Sequence, residues 1–254
     1  MPYTSSIAAA LPSSWTLAQA ILSSSYTGWG ISSLQKDATE LSECVKYFRS
    51  IKPGKIVLMG HSTGCQDVLE YLTGPGHENR EPIDGGIIQA AVSDRESFVL
   101  TMDPETYKTA CEKAQKMVDD GDEDEILPSA DIDNYLPCPI TAKRFLSLAS
   151  PNHDGDDDYF SSDLTDDQLQ KTFGSLPSSS PLCILLSGSD EHIRPDVDYE
   201  QLLQRWIGVI KHGKGRVDEA NSGVIEGATH NLSGNDEKTV KDLLQRVVGF
   251  LNGI

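Results

Sequence analysis

The chain has 254 residues, 39 of them acidic and 21 basic, and a net charge of −18. This balance argues against a nucleic-acid binder, because phosphate contacts need clustered lysine and arginine. No run of about 18 apolar residues exists, which argues against a membrane protein. The first basic residue is Lys36, so the N-terminus lacks the positive start of a secretory signal. Five scattered cysteines without paired spacing indicate reduced thiols and a cytoplasmic location.

Apolar periodicity predicts strands and helices that alternate along the chain. In chain order we expect a short helix near 5–11, a strand at 15–22, a helix at 34–51, a strand at 55–59, a helix at 66–72, strands at 87–92 and 182–186, a helix at 200–211, a strand at 224–225 and a helix from about residue 235. Such alternation is typical of a mostly parallel sheet flanked by helices. We therefore predict one α/β domain over residues 1–254.

The stretch at 94–180 interrupts this alternation. It holds 20 acidic and 7 basic residues and so contributes 7 − 20 = −13 to the net charge. A long insertion between two strands of an α/β sheet commonly covers the strand ends. We predict that residues 94–180 form an acidic lid within the domain.

The sharpest motif is Gly60-His-Ser-Thr-Gly64, which lies between the strand at 55–59 and the helix at 66–72. A nucleophile elbow requires this context, because its serine occupies a tight turn from strand to helix. We predict that Ser62 is the nucleophile and that the backbone N–H of Thr63 points at an oxyanion formed there. The alternative is a glycine-rich turn whose serine has no chemical role.

A serine nucleophile needs a general base, and on this fold the base follows the acid in chain order. His230 lies between the last strand and the C-terminal helix, where the base is expected; the alternative role is a helix cap. His61 adjoins the nucleophile and cannot turn back onto it, so we expect it to pack or hydrogen-bond locally. Three further histidines lie in polar surroundings and are predicted to be solvated: His77, His153 and His212.

Three carboxylates are candidates for the acid that orients the base. Asp190 follows the strand at 182–186, which is the expected place. Glu191 is its neighbour, and Asp94 follows the preceding strand and could also reach the histidine. Chain position favours Asp190.

The acidic runs do not match metal-binding templates. Residues 119–125 and 154–158 lack the glycine and glutamate spacing of a calcium loop, and no His/Cys group has zinc spacing. We therefore predict neither a metal nor a cofactor.

Several motifs together resemble a fungal α/β-hydrolase family that includes the fusarinine C esterases of siderophore metabolism. The segments that carry the resemblance are 24–30, 60–67, 92–96, 144–150 with 156–158, and 187–191. The resemblance extends over essentially the whole chain. It implies an intracellular serine esterase with Ser62 as nucleophile, Asp190 as acid and His230 as base.

One departure from that family concerns the N-terminus. The loop that should supply a second oxyanion donor would fall at residues 1–3, and the strand before it has no residues. That strand would lie beside the one at 55–59. Either the chain is shortened there or another segment fills the position. An unfilled position would leave backbone groups unpaired, so we expect low stability and impaired turnover.

The leading hypothesis is an esterase that acts on a small-molecule ester, in particular a cationic hydroxamate siderophore that the acidic lid attracts. The alternatives are a non-catalytic hydrolase-like binding protein and a carboxylesterase or thioesterase with another substrate.

Overall fold

A four-stranded parallel sheet organises the structure, a computed structural model that describes residues 1–128, 132 and 135–254. Its strands are β1 Val57–His61, β2 Gly85–Gln89, β3 Leu182–Ser187 and β4 Gly223–Ile225. The helices of these described residues are α1 Thr4–Ala10, α2 Leu34–Ile51, α3 Thr63–Thr73, α4 Asp94–Thr101, α5 Pro104–Asp120, α6 Ala142–Ala149, α7 Asp166–Lys171, α8 Tyr199–His212 and α9 Glu237–Gly253.

The strands lie in the order β1-β2-β3-β4, and every pair is parallel. All carboxyl ends therefore meet at one edge of the sheet, where open α/β sheets place their ligand sites. Within the described ranges β1 has a strand neighbour on one side only. The described sheet thus has no strand on the other side of the one that precedes Ser62, as expected.

Most predicted elements are present with bounds shifted by a few residues, and helix α2 has the predicted bounds. The predicted strand at 15–22 is wrong, because this segment pairs with no strand of the sheet. Its side chains explain the pattern: Trp15 and Leu17 pack against the core on one face of the sheet, and Leu22 packs against the core on the other. The segment therefore runs from one face of the sheet to the other without adding a strand.

Side chains of the strands alternate between two apolar cores, as the period of two requires. Ile88 and Ile184 belong to the core that includes α2, α3 and α8, whereas Ile87 and Leu185 belong to the core under α1 and α9. The helices thus cover both faces of the sheet. No helix in the described part of the chain is long and apolar enough to cross a membrane.

The segment 94–180 contains helices α4 to α7 and divides into two parts. Buried residues between Met102 and Ala149 form a separate apolar cluster. Phe160 and Phe173, by contrast, join the main core and pack against the buried Trp206 ring, with centroid distances of 5.6 and 5.0 Å. Only the first part is therefore built around its own core.

Arg144 on α6 ties that first part to the rest of the molecule. Its Nε donates to the carbonyl oxygen of Trp29 at 3.0 Å, and Nη1 forms an ion pair with Asp157. Both charged side chains are almost fully buried. Burial strengthens the attraction between them, and it also makes the loss of either partner costly, because the other charge is then buried and unpaired.

We expect the substitution Arg144→Met to lower the free energy of unfolding by about 3–5 kcal/mol, since it leaves Asp157 without its cation. Urea unfolding monitored by tryptophan fluorescence measures this change. Lys143→Met is the matched control: Lys143 is the preceding residue, and its pair with Glu123 is exposed. The control should change the free energy by less than about 0.5 kcal/mol. A loss in Arg144→Met no larger than that of the control would contradict this expectation.

Candidate active site

Ser62 occupies a strained turn between β1 and α3. Its φ is 54° and its ψ is −126°, which a non-glycine residue rarely adopts. The turn is tight at Gly60, where an added Cβ would lie 1.9 Å from the carbonyl oxygen of Gly64. At Gly64 itself an added Cβ would meet nothing within 4 Å. Close packing therefore requires glycine at position 60 and not at position 64.

Backbone groups hold this turn and leave one donor free of helical bonding. The N–H of Ser62 donates to the carbonyl oxygen of Gln89 at 3.2 Å, which joins the turn to the end of β2. Thr63 is the first residue of α3, so its N–H has no acceptor within the helix. The N-terminus of α3 adds partial positive charge at the same place. This arrangement suits the stabilisation of an anion beside the Ser62 hydroxyl.

Three predicted site residues form a continuous hydrogen-bond chain. His230 Nε2 lies 2.9 Å from Ser62 Oγ, and His230 Nδ1 lies 2.8 Å from Asp190 Oδ2. Asp190 and His230 are buried at 8% and 9% exposure. Asp190 comes from the loop after β3 and His230 from the loop after β4, so the parallel sheet brings all three residues to one edge.

The three candidate carboxylates have different partners. Asp190 binds the imidazole of His230, as chain position favoured. Glu191 Oε2 instead accepts from the backbone N–H of His230 at 2.9 Å. Asp94 accepts from the side-chain amide of Gln66. Two consecutive acidic residues therefore fix the side chain and the backbone of the same histidine.

The other histidines have separate surroundings. His61 Nδ1 lies 2.6 Å from Gln89 Oε1, in agreement with the local role expected of it. His77 and His212 are exposed, as expected. The expectation for His153 is wrong, because this residue is half-buried and its Nδ1 lies 3.4 Å from Asp158 Oδ2. His192, which the sequence patterns did not single out, places its ring 4.6 Å from that of His230.

Gln89 is the main site residue that sequence reasoning missed. It is fully buried at the end of β2 and bonds to Tyr3, His61 and Ser187 through its side chain. The available signal was a single amide side chain inside the otherwise apolar run at 87–92. Such a residue must satisfy its polar atoms internally, which marks it as part of a network.

A second missed feature is a group of carboxyls around the first turn of α3. Gln66 Nε2 donates to Asp94 Oδ2 at 2.6 Å. Asp67 Oδ1 and Asp157 Oδ2 are buried without a hydrogen-bond partner among the described residues. Burial raises the pKa of Asp67 to about 8, and it raises the pKa of Asp94 to about 7. No three His, Cys, Asp or Glu side chains in the described ranges are grouped as metal ligands.

Comparison with known sequences gives matches over nearly the whole chain. A family model described as "Protein of unknown function (DUF1749)" matches residues 1–252. The fusarinine C esterase sidJ of Aspergillus fumigatus is 36% identical over 299 residues, covering 99% of this chain and 84% of that protein. An esterase of Emericella nidulans is 36% identical over 304 residues, covering 98% of this chain and 81% of that protein.

Solved structures show the same fold. The siderophore hydrolase EstB from Aspergillus fumigatus superposes with a TM-score of 0.82 at 39% identity, covering 99% of this chain and 85% of that one. An α/β-hydrolase fold protein of unknown function superposes with a TM-score of 0.64 at 19% identity, covering 99% and 83% of the two chains. The predicted α/β-hydrolase fold is confirmed.

The raised pKa of Asp67 leads to a pH-dependent stability. Its folded pKa of about 8 lies above the ordinary value of 3.8, so the unfolded chain loses this proton first as pH rises. The contribution of Asp67 to the free energy of unfolding is fully present below about pH 4 and declines as the pH rises to about 8. Asp67→Asn removes the ionisable group, so we expect it to raise the urea midpoint more at pH 8 than at pH 5.

Asp156→Asn is the control for that measurement, because Asp156 is an exposed carboxylate close to the buried Asp157 in the sequence. It should shift the midpoint equally at the two pH values. A midpoint gain in Asp67→Asn that is the same at pH 5 and pH 8 would show that this carboxyl is not held protonated in the folded state.

Proposed function

We propose that this chain, which belongs to the DUF1749 family, is a serine esterase that hydrolyses carboxylic esters through an acyl-enzyme. The observation that carries the proposal is the unbroken hydrogen-bond chain from Asp190 through His230 to Ser62, at 2.8 and 2.9 Å. In this proposal Ser62 is the nucleophile, His230 the general base and Asp190 the orienting acid. The N–H of Thr63 donates to the oxyanion.

Acylation begins when Ser62 Oγ attacks the ester carbonyl carbon and its proton passes to His230 Nε2. The negative charge that develops on the carbonyl oxygen is stabilised by the Thr63 N–H and the N-terminus of α3. Asp190 stabilises the imidazolium of His230 and keeps its Nδ1–H directed away from the serine. The leaving alcohol then takes the proton from His230, and water later repeats these steps on the acyl-enzyme.

For the substrate we propose an ester of a hydroxamate siderophore that bears free amino groups. Two relatives support this class, since one is named a fusarinine C esterase and the other a siderophore hydrolase. The charge distribution supports the cationic form of the substrate, because residues 94–180 contribute −13 of the net charge of −18. We propose that this segment is an acidic cap, of which the part with its own apolar cluster, up to Ala149, lies outside the main core.

We further propose that the protein works in the cytoplasm. All five cysteines are free thiols, four of them buried and Cys44 partly exposed. An oxidising compartment favours disulfides, whereas the reducing cytoplasm keeps thiols of this kind intact.

Replacing the nucleophile tests the reaction class. We expect Ser62→Ala to lower the hydrolysis of p-nitrophenyl acetate and of ferric fusarinine C by at least roughly 10⁴-fold, because no other group can form the acyl-enzyme. A fluorophosphonate probe should label the wild-type protein and not the variant. Ser233→Ala, which changes an exposed serine near the base, is the control and should keep both activity and labelling.

Absence of labelling and of hydrolysis in the wild-type protein would contradict the esterase and favour a non-catalytic ligand-binding protein. Hydrolysis of the simple ester or of a thioester, without hydrolysis of the siderophore, would keep the serine hydrolase and reject the substrate.

The dependence of kcat/KM on ionic strength tests whether the acidic segment attracts a cationic substrate. We expect kcat/KM for ferric fusarinine C to fall as salt rises from low to physiological concentration, since screening weakens attraction to an acidic surface. Its N-acetylated analogue, which lacks the free amino groups, is the matched control and should respond much less. Equal salt responses of the two compounds, measured by product formation, would exclude electrostatic attraction by the cap.

A further inference from the structure

Gln89 connects the nucleophile turn to a buried polar network. Its carbonyl oxygen accepts the N–H of Ser62, and its side chain reaches three residues from other elements. Gln89 Oε1 lies 2.6 Å from Tyr3 Oη and 2.6 Å from His61 Nδ1, and Gln89 Nε2 donates to Ser187 Oγ at 3.0 Å. The amide is fully buried, and it is placed with Oε1 toward Tyr3 and His61 and with Nε2 toward Ser187.

With the Gln89 amide in this orientation, the network assigns the proton of His61 to Nδ1. Gln89 Oε1 is an acceptor only, so the hydrogen bond from His61 Nδ1 needs a hydrogen on Nδ1. A neutral imidazole has one N–H, which leaves Nε2 with a lone pair. Burial lowers the pKa of His61 to about 4, so the ring is neutral at pH 7. His61 therefore presents a hydrogen-bond acceptor at Nε2.

That acceptor belongs to a ring beside the proposed general base. The centroids of the His61 and His230 rings are 4.8 Å apart, with an interplanar angle of 53°. The ring of His61 is only partly buried. Its Nε2 has no hydrogen-bond partner among the described residues, whereas Nε2 of His230 is bonded to Ser62. One acceptor is thus engaged with the nucleophile, and a second one close to it is not.

We propose that His61 Nε2 orients the hydrolytic water during deacylation, an inference that rests on the proposed function. Water carries two O–H groups, and in this step one donates to His230 Nε2 and the other to His61 Nε2. With donor–acceptor distances of about 2.8 Å, a water that bonds to two nitrogens holds them about 4.5 Å apart. The ring centroids are 4.8 Å apart, which places the two imidazoles within reach of one bridging water.

The step balances with the groups present. The water oxygen attacks the acyl carbon and forms a new C–O bond, and one water proton passes to His230 Nε2. The second proton stays on the oxygen, held by His61 Nε2. The tetrahedral intermediate then breaks its bond to Ser62 Oγ, which takes the proton back from His230. The product leaves as the free acid and gives its proton to solvent.

Methanol separates this role from a structural one. Methanol has a single O–H, which donates to His230, so its attack on the acyl-enzyme does not need His61. With p-nitrophenyl acetate in the presence of methanol, the common acyl-enzyme yields acetate by hydrolysis and methyl acetate by methanolysis. The ratio of the two products therefore reports on the positioning of water alone, and general damage to the site lowers both products equally.

Two substitutions at position 61 distinguish its two nitrogens. The amide of His61→Asn takes the place of Nδ1 and retains a donor to Gln89, but it loses the acceptor at Nε2. The amide oxygen of His61→Gln takes the place of Nε2. We expect the ratio of hydrolysis to methanolysis to fall roughly three- to tenfold in His61→Asn, which is the change expected from the loss of one hydrogen bond. In His61→Gln the ratio should stay within about twofold of wild type.

His192 provides the matched control, because its ring lies 4.6 Å from that of His230 without a side-chain bond to Gln89. His192→Asn should leave the product ratio unchanged. An unchanged ratio in an active His61→Asn variant, or an equal fall in His61→Asn and His61→Gln, would overturn the inference and leave the esterase intact. A wild-type protein that forms neither product would overturn the proposed function itself.

The tautomer of His61 is tested independently of any variant. Imidazole ¹⁵N resonances of the labelled wild-type protein distinguish a protonated from an unprotonated ring nitrogen. We expect His61 to carry its proton on Nδ1 at pH 7. A proton on Nε2 would overturn the inference even where the variants at position 61 fail to fold.

Discussion

The positive φ of Ser62 is the constraint on which the site depends. A non-glycine residue in such a conformation costs on the order of 1–3 kcal/mol, so neighbouring contacts must hold it. Gly60 permits the close approach of the turn to the first residues of α3, and the carbonyl oxygen of Gln89 binds the N–H of Ser62. The strain directs the hydroxyl away from the sheet and toward His230. Without this turn the same three side chains would lie at the sheet edge with no shared geometry.

Around that turn the molecule keeps polar groups in places that disfavour charge. Burial lowers the pKa of His61 and raises the pKa values of Asp67 and Asp94, so all three groups tend toward their neutral forms. Most of the net negative charge comes from the segment 94–180, which contributes −13 of −18, and many of its described carboxylates are exposed. A surface that attracts cations is thus combined with an interior around α3 in which the buried guanidinium of Arg144 faces several carboxyls.

Sequence patterns predicted the sheet and the chain order of the site because both depend on local signals. The periodicity of α2 and the apolar runs of β1 and β3 are such signals, and Ser62, Asp190 and His230 each follow a strand. The strand predicted at 15–22 failed because alternation indicates apolar contacts on two sides and does not specify a pairing partner. Gln89 and Tyr3 were missed for a related reason: their bond joins residues 86 positions apart, and no local pattern encodes it. Likewise, the sequence did not reveal that Glu191 binds the backbone of His230, since it does not show in which direction the side chain of each of two adjacent acidic residues points.

The position of β1 at the margin of the sheet affects how the molecule unfolds under denaturing conditions. In the described part of the chain β1 is supported by one strand, whereas β2 and β3 are each supported by two. Detachment of a peripheral strand costs less than melting of the whole domain. Ser62 follows β1 directly, so this partial opening separates the hydroxyl from His230 while β2, β3 and β4 stay paired. Mild denaturing conditions should therefore inactivate the protein reversibly before they unfold it.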